Sequence, residues 1–342
     1  MGSDTIKDIL RDIRDKFGDS SMFLYGDANI KPVESISTGS LSIDAATGIN
    51  GVPKGRITEI YGAESSGKTT LCLSLIREAQ IAGGRCAFID VEHALDIKYA
   101  KSLGVDVNSL LISQPNYGEE ALSIVEMLVK TNEIDLIIVD SVAALTPKAE
   151  IDGEMTDQQM GLQARMLSKG LRKINSFLTT AKTALVFINQ MRSNIGVMFG
   201  NPNVTTGGKA LKYYTSMRIE LSKQSLIKKA DNVIGQNVVA KIVKNKTASP
   251  FQNAEFQIIY GKGINKLDEV LNLSVQFGII QKNGSWYSYN GEKLSQGKDL
   301  VIKKLEENKI FFEDIFSKVM NHMKNSTNSN ININEDSKIN EE

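Results

Sequence analysis

Gly62-Ala-Glu-Ser-Ser-Gly-Lys-Thr-Thr70 is the stretch that decides the fold of this chain. It fits Gly-x-x-x-x-Gly-Lys-[Ser/Thr], the pattern of a phosphate-binding P-loop. A β-rich run, 56–61, precedes it and a helix-forming run follows it, which is the context that the motif requires. Backbone N–H groups of such a loop point at phosphate oxygens, its lysine reaches the β- and γ-phosphates, and the next hydroxyl binds Mg²⁺. We therefore expect ATP or GTP to bind here with Mg²⁺. The predicted binding residues are Gly62, Ala63, Glu64, Ser65, Ser66, Gly67, Lys68, Thr69 and Thr70.

The composition is that of an ordinary globular protein. The 342 residues are 41% hydrophobic and 23% charged. Lys plus Arg and Asp plus Glu both number 40, so any nucleic-acid binding depends on local patches. Cys72 and Cys86 lie in apolar runs, which indicates buried free thiols in a reducing compartment. The chain has no signal-peptide pattern and no apolar run of about 18 residues, so we expect a cytoplasmic location.

Strand and helix patterns alternate from residue 56 to about 260. Continuous apolar strands are predicted at 85–91, 135–140 and 184–190, with helices at 118–130 and 160–178. This order indicates an α/β fold with a largely parallel sheet that is covered on both faces.

The two ends of the chain do not show this alternation of strand and helix patterns. Residues 5–17 predict an amphipathic helix, which either covers its own core or docks on a neighbouring subunit. After about 265, a helix, two Asn-Gly hairpin signals and a second helix at 299–323 indicate a small α+β domain. The Asn- and Ser-rich residues 325–342 predict disorder.

Three polar residues follow predicted strands and are candidates for the same site. Asp140 ends an apolar strand, as a Walker B carboxylate that holds Mg²⁺ does. Glu92 is placed to deprotonate an attacking water, although a surface glutamate is an equal alternative on its own segment. Gln190 could sense a γ-phosphate or be an ordinary polar residue at a strand end.

Two loops are candidates for a further function. Residues 191–208 have neither helical nor strand period, carry Arg192 and no acid, and include apolar side chains. Cations with apolar wedges suit single-stranded nucleic acid, and an irregular packed excursion is the alternative. The other loop, 150–159, is acidic, which argues against phosphate contact.

Several segments together resemble the bacterial RecA recombinases over about residues 5–320. They are Gly62–Thr70, Phe88–Asp96, Ile138–Glu150, Phe187–Gln190, Ile195–Pro202 and Val243–Lys246. The resemblance implies a RecA-like P-loop ATPase core with a mostly parallel sheet, an N-terminal helix/strand arm and a small α+β C-terminal domain. It divides the chain into an oligomerisation arm (1–33), the core with DNA loops near 153–161 and 191–208 (34–264), the C-terminal domain (265–323) and a disordered tail (324–342).

The resemblance also implies a function. It is a DNA-dependent ATPase that forms a helical filament on single-stranded DNA, pairs it with homologous duplex and exchanges strands in repair. Activation of SOS repressor self-cleavage and filament-loading or regulatory partners are implied as well, with ATP and Mg²⁺ as cofactors and no membrane.

Individual roles follow by position in the motifs. The implied catalytic residues are Glu92, Lys68, Gln190, Lys244 and Lys246, the two last reaching the ATP of a neighbouring subunit. Asp96, Tyr99 and Tyr260 are implied at the adenine, and Thr69 and Asp140 at the metal. The implied DNA-binding residues are Met160, Arg165, Arg172, Met191, Arg192, Ile195, Gly196, Val197, Met198, Phe199, Gly207, Gly208, Lys209, Lys282 and Lys298.

Some positions depart from the family pattern. Lys209 stands where Asn is usual, Tyr213 replaces a familiar Phe, and the tail is only weakly acidic, which puts restraint of duplex binding by the tail in doubt. Two alternative functions stay open from the sequence. One is a different P-loop ATPase of the same fold, such as a hexameric helicase, and the other is a DNA-binding scaffold that uses ATP only as a switch.

Overall fold

The structure is a computed structural model that describes residues 2–18, 21–22, 33–154, 161–193 and 203–336. It divides into two compact units, residues 1–33 and 34–342. In the first unit, helix α1 (Gly2–Phe17) has basic Arg14 and Lys16 in its last turn, where cations interact favourably with the helix dipole. The helix predicted at 5–17 is therefore present and begins earlier.

The second unit contains the remaining elements. Its strands are β1 (Ser35–Ile36), β2 (Val52–Pro53), β3 (Ile57–Gly62), β4 (Cys86–Asp90), β5 (Leu111–Ser113), β6 (Leu136–Asp140), β7 (Ala184–Ser193), β8 (Asn203–Thr205), β9 (Met217–Lys229), β10 (Asn232–Asn245), β11 (Asn253–Ile259), β12 (Gly263–Ile264), β13 (Gln281–Asn283), β14 (Trp286–Tyr289) and β15 (Glu292–Gln296). Its helices are α2 (Leu41–Thr47), α3 (Lys68–Ile81), α4 (Ile97–Ser102), α5 (Gly118–Lys130), α6 (Lys148–Asp152), α7 (Leu162–Ala181), α8 (Ala210–Tyr214), α9 (Lys266–Gln276), α10 (Lys298–Glu307) and α11 (Lys309–Asp336), with a 3₁₀ turn at Val142–Ala144.

A ten-stranded sheet organises the described part of the second unit. Its order is β12-β11-β10-β9-β3-β7-β6-β4-β5, and β8 pairs with β7. Strands β9, β3, β7, β6, β4 and β5 run parallel, whereas β9 to β12 alternate in direction. Since parallel strands end at one edge of a sheet, the ends of β3, β4, β6 and β7 meet there. That edge carries the candidate site.

Helices cover both faces of the parallel strands because successive strand residues point to opposite sides. Phe88 and Ile138 join the buried cluster that includes α3, and Ile89 and Ile137 join the cluster formed with α5 and α7. Each such side chain contributes about 1.5–3 kcal/mol when fully buried. The strands are apolar throughout for this reason.

A third buried cluster unites the C-terminal elements. Val270 of α9, Tyr287 of β14, Val301 of α10 and Ile315 of α11 pack in it, and Leu41 of α2 joins them. The hairpins predicted at the two Asn-Gly pairs are present as β13–β14 and β14–β15.

Helix α2 begins at a junction with α9. Ser40 caps it locally, and its hydroxyl donates to Glu269 Oε1 at 2.5 Å. The backbone N–H groups of Leu41 and Ser42 donate to the same carboxyl group at 3.3 and 3.1 Å. Acceptors at a helix N-terminus satisfy N–H groups that have no partner within the helix. Glu269 is fully buried, and burial raises the pKa of its carboxyl.

The structure differs from the sequence-based expectation in two places near the C-terminus. The helix predicted at 299–323 is wrong as one element, because extended Asn308 separates α10 from α11 and accepts from Phe311 N at 3.0 Å. Helix α11 then continues to Asp336, where the composition predicted disorder from 325 onward. No glycine or proline interrupts residues 325–336.

The loop predicted at 191–208 also contains strand pairing. Met191 to Ser193 extend β7 and pair antiparallel with Asn203 to Thr205 of β8. Periodicity misses these strands because each pairing segment has three residues, too few to establish an alternation.

Candidate nucleotide site and DNA interface

The P-loop joins the central strand β3 to α3. A Cβ on Gly62 would lie 2.3 Å from Leu221 O, so only glycine fits against β9 there. Gly67 caps α3 with φ 93°, a left-handed conformation that favours glycine. The loop therefore delivers the N-terminus of a 14-residue helix to the sheet edge, as the motif predicts.

Lys68 folds back over this loop. Its Nζ donates to Ala63 O at 2.8 Å and to Gly62 O at 3.2 Å. Partial burial lowers its pKa, opposed by the nearby Asp140 and Glu92 carboxylates. Phosphate oxygens are stronger acceptors for a cation than these neutral carbonyls, so an arriving phosphate can replace them.

Thr69 and Asp140 bring two oxygen groups together beside the loop. Thr69 Oγ1 donates to Asp140 Oδ2 at 3.2 Å. Burial, then the charge of Glu92, raises the pKa of Asp140 to about 6. A hydroxyl and a carboxylate are the hard oxygen ligands that Mg²⁺ uses when phosphates and waters complete its shell. The pair fits the predicted metal position, and a bound cation would favour the ionised form of Asp140.

Glu92 lies just beyond β4 at the same edge. Its Oε1 accepts from Ser141 Oγ, directly after β6, and from Gln190 Nε2 of β7 at 3.1 Å. Its backbone N–H donates to Asp140 O at 3.3 Å. The structure thus brings the predicted Glu92, Gln190 and Asp140 together and adds Ser141, which the sequence analysis missed.

Asn189, next to Gln190, links this edge to the segment after β8. Its Oδ1 accepts from Gln190 N at 2.9 Å and from Thr206 Oγ1 at 2.5 Å. Its Nδ2 donates to Thr206 O at 3.0 Å and to Glu59 Oε1 at 2.8 Å. The backbone of Gln190 is therefore tied to one end of the predicted DNA loop.

Glu59 is a buried charge that the sequence analysis did not single out. It is 0% exposed, on the central strand, and its Oε2 accepts from Arg218 Nε at 2.5 Å. Arg218 also lies over the ring of Tyr61, 4.6 Å from its centroid. An acid inside the buried β-rich run 57–61 was the available signal.

Of the residues implied at the adenine, Tyr99 contacts the P-loop helix α3 directly and Tyr260 is linked to the loop through Gln236. Asp96 caps α4, accepting from Lys98 N at 2.8 Å and Tyr99 N at 3.1 Å. The Tyr99 hydroxyl is 2.8 Å from Thr70 Oγ1 of α3. Tyr260 is 49% exposed, and its hydroxyl donates to Gln236 Oε1 at 3.3 Å. Gln236 was not predicted from the sequence because a polar residue in an alternating strand gives no distinct signal.

Lys244 and Lys246 lie near the end of β10. Lys244 Nζ donates to Lys212 O at 2.7 Å and, more weakly, to Tyr213 O at 3.5 Å. Burial lowers the pKa of Lys244, and the positive charges of Lys246 and Arg218 add to this effect. Lys246 N donates to Ser216 O at 2.9 Å. Both lysines therefore lie beside the short helix α8, which follows the predicted DNA loop.

A groove of about 600 Å³ runs along α7 and α8, and three of the six cations implied at DNA, Arg165, Arg172 and Lys209, line it. The cationic groove is formed by Arg165, Lys169, Arg172, Lys173 and Lys209, together with Tyr213. Residues at spacings of four and seven along α7 lie on one face, so Arg165, Lys169 and Arg172 point the same way. Lys173 is 3.7 Å from Glu126. A phosphate backbone fits the charge of this groove.

The remaining DNA predictions fall in several places. Gly207 lies against α7, where a Cβ would be 2.7 Å from Leu167, and Gly208 follows it with φ 72°. Met191 and Arg192 lie in the pairing of β7 with β8. Met160 and Ile195, Gly196, Val197, Met198 and Phe199 lie outside the described residues.

Lys282 and Lys298 belong to the C-terminal elements. Lys282 Nζ lies 5.7 Å from the centroid of the Tyr287 ring. Lys298 Nζ is 2.6 Å from buried Asp268, so that pair would have to open before Lys298 contacts DNA. Their role at duplex DNA stays a prediction.

Among the described residues, none of the helices combines the length and the apolar character that crossing a membrane requires.

A P-loop, a hydroxyl–carboxylate pair and a glutamate at the neighbouring strand end define an ATPase of the P-loop class. A profile of the RecA N-terminal domain matches residues 4–265, and one of the RecA C-terminal domain matches residues 268–324. Protein RecA of Acinetobacter baylyi is 55% identical over 306 residues, 90% of this chain and 88% of the relative. Protein RecA of Fusobacterium nucleatum is 56% identical over 303 residues, 89% and 80% of the two chains. That of Thioalkalivibrio sulfidiphilus is 55% identical over 299 residues, 87% of each chain.

The chain belongs to the RecA family. It is a DNA-dependent ATPase of recombination and DNA repair that binds DNA and forms a homo-oligomeric filament. The resemblance and the RecA-like fold class predicted from the sequence are confirmed.

Proposed function

We propose that the state of the nucleotide is transmitted to DNA through the hydrogen bonds that join Glu92, Gln190, Asn189 and Thr206. One observation carries this proposal: the side chain of Gln190 contacts Glu92 at 3.1 Å while its backbone N–H contacts Asn189 at 2.9 Å. Asn189 in turn holds Thr206, close to Gly207 and Gly208. A change at Glu92 therefore has a direct route to the DNA-binding segment.

The nucleotide would occupy the P-loop with its phosphates at the N-terminus of α3. Lys68 would exchange its carbonyl partners for phosphate oxygens. Thr69 and Asp140 would hold Mg²⁺, which neutralises charge on the phosphates when bound. Asp96, Tyr99 and Tyr260 would surround the adenine.

Glu92 would orient and deprotonate the attacking water. Two donors, Ser141 Oγ and Gln190 Nε2, bind one carboxylate oxygen and hold the group at the sheet edge. Gln190 would reorganise when the γ-phosphate is present, since its amide can donate to phosphate instead of Glu92. Hydrolysis would then return it to the observed position and alter the hold on DNA.

Lys244 and Lys246 would complete the site of an adjacent subunit, as an arginine finger does. Cations supplied in this way are worth about 10³–10⁵ in rate in phosphoryl transfer. Their position beside α8 would couple that interface to the cationic groove. Residues 1–33 would serve as the oligomerisation arm, and residues 34–264 as the ATPase core.

The C-terminal part, 265–323, would receive duplex DNA through Lys282 and Lys298, with 324–342 as a tail. We also propose that the protein has regulatory partners, that it promotes self-cleavage of the SOS repressor and that it is cytoplasmic. Support for these assignments is the family membership together with the positions of the matching residues.

The test is ATPase activity with and without single-stranded DNA over a salt series, on the wild-type chain, Lys68→Ala and Glu92→Gln. We expect strong stimulation that weakens as salt rises, because salt competes for phosphate contacts. Lys68→Ala should lose ATP binding, whereas Glu92→Gln should bind ATP and DNA but hydrolyse very slowly. Undiminished turnover in Glu92→Gln would show that another group activates the water.

A further inference from the structure

Gln236 of β10 makes a bridge between the crest of the P-loop and Tyr260. Its Nε2 donates to Ser65 O at 3.0 Å, and its Oε1 accepts from the Tyr260 hydroxyl at 3.3 Å. The residue is 2% exposed, so on folding its amide exchanges hydrogen bonds to water for these two. A buried amide is favourable only when both ends are bonded, which makes the pair of contacts specific.

The contact with Ser65 falls on a residue of the loop with a left-handed backbone. Ser65 has φ 58°, a left-handed conformation that disfavours side chains other than glycine. The peptide that joins Ser65 to Ser66 is held at both ends, because Ser66 N donates to Ala63 O at 3.3 Å. Gln236 thus fixes the orientation of a loop peptide whose neighbours supply N–H groups for phosphate.

An amide side chain suits this bridge because its nitrogen donates and its oxygen accepts. It must donate to a carbonyl and accept from a hydroxyl at once; a carboxylate lacks the donor and an ammonium lacks the acceptor. Tyr260 follows β11, and the backbone register places Gln236 opposite Ile258 of that strand. The tyrosine and the glutamine are therefore held in a fixed relation by the sheet itself.

We propose that Gln236 is a positioning residue that ties the base-contacting Tyr260 to the phosphate-binding loop, so that base and triphosphate are read by one connected unit. This proposal rests on the proposed nucleotide site. Tyr99, bonded to Thr70 of α3, supplies the corresponding tie on another element. Gln236 contacts the loop and not the reacting atoms, so it acts on affinity more than on the chemical step.

The experiment compares binding of ATP and of inorganic tripolyphosphate, both with Mg²⁺, by calorimetry on the full chain. Gln236→Met should weaken ATP about three- to tenfold and should also weaken tripolyphosphate, because about one neutral hydrogen bond supports the loop. Tyr260→Phe should weaken ATP about two- to threefold and leave tripolyphosphate unchanged, since only the tie to the base is lost. In DNA-stimulated turnover, Gln236→Met should raise KM while kcat stays within about twofold.

The most discriminating measurement is the ATP affinity of the double variant Gln236→Met/Tyr260→Phe. If Gln236 carries the tie, Tyr260→Phe has no further effect on ATP affinity in the Gln236→Met background. Asn237→Leu is the matched control: its amide pairs with Ser225 at 2.9 Å and Gln257 at 3.1 Å, so its loss should leave ATP affinity unchanged. Equal effects of Tyr260→Phe in both backgrounds would overturn the proposal, as would wild-type ATP affinity in Gln236→Met.

Two further outcomes are informative. If Gln236→Met does not fold, Gln236→Leu removes the same donor and acceptor without adding charge, so tripolyphosphate should weaken; unchanged affinity overturns the proposal. If the wild-type chain binds neither ligand, or Lys68→Ala binds both normally, the proposed nucleotide site itself fails and this inference with it. Failure confined to the Gln236 variants leaves the proposed function intact.

Discussion

The buried pair of Glu59 and Arg218 should dominate the stability of the central strand. Glu59 is 0% exposed, and the Arg218 side chain is 14% exposed with Nε 2.5 Å from Oε2. Glu59→Gln preserves the shape and the acceptor for Asn189 but leaves the guanidinium without a counter-charge. Removing one member of a buried pair costs about 3–5 kcal/mol, and partial access of Arg218 to water places the cost near the lower limit.

Urea unfolding followed by far-UV circular dichroism measures this cost. Glu133→Gln is the matched control, because Glu133 pairs with Arg85 where both side chains are about two-thirds exposed, 64% and 66%. Exposed pairs contribute about 0–1 kcal/mol, so the control should barely shift the midpoint. The variant Glu59→Gln/Arg218→Met should be less destabilised than the sum of the single changes by about 2 kcal/mol or more. Additive effects, or a Glu59→Gln cost no larger than that of Glu133→Gln, would refute the reasoning.

Three further outcomes are expected. Thr206→Val removes the hydroxyl that binds Asn189, so it should reduce stimulation of ATPase activity by single-stranded DNA while ATP affinity stays constant; retained stimulation would contradict the proposed coupling. Burial raises the pKa of Asp44 from 3.8 to about 7 despite hydrogen bonds from Ser37 and Thr38. The folded state therefore binds this proton more tightly, and wild-type stability should fall relative to Asp44→Asn as pH rises from about 4 to about 7, by at most about 4 kcal/mol in thermal or urea unfolding. A difference between the two that does not vary with pH would reject the raised pKa. Removing residues 325–342 should change duplex binding less than about twofold because the tail carries little net charge; a large rise in a filter-binding assay would show that the tail restrains it.

Local sequence patterns predicted the parts of the fold that depend on local chemistry. The P-loop context, α5 at 118–130 and the carboxyl group that ends β6 follow from glycine placement and apolar period. The break at Asn308 was missed because apolar periodicity continues through it, and the strand pairs at 191–193 because three residues show no period.

The candidate site divides in the same way. Lys68, Thr69 and Glu92 follow strand ends, Asp140 ends β6, and Gln190 is the last residue of β7 that pairs with β3. The parallel sheet brings these positions together. Partners such as Ser141, Asn189 and Gln236 depend on contacts between segments far apart in sequence. A side chain that only positions another residue belongs to no spacing motif, so a single sequence does not identify it.

The carboxyl group that caps α2 has a consequence for the order in which the chain is made. Ser40 and Glu269 are 229 positions apart. At about 5–20 residues per second, a ribosome needs roughly 10–45 s to add the second after the first. Throughout that interval α2 has only its local serine cap, while Asp44 and the P-loop strand are already available to fold. A nascent chain thus carries α2 with an open N-terminus, which closes only when α9 emerges.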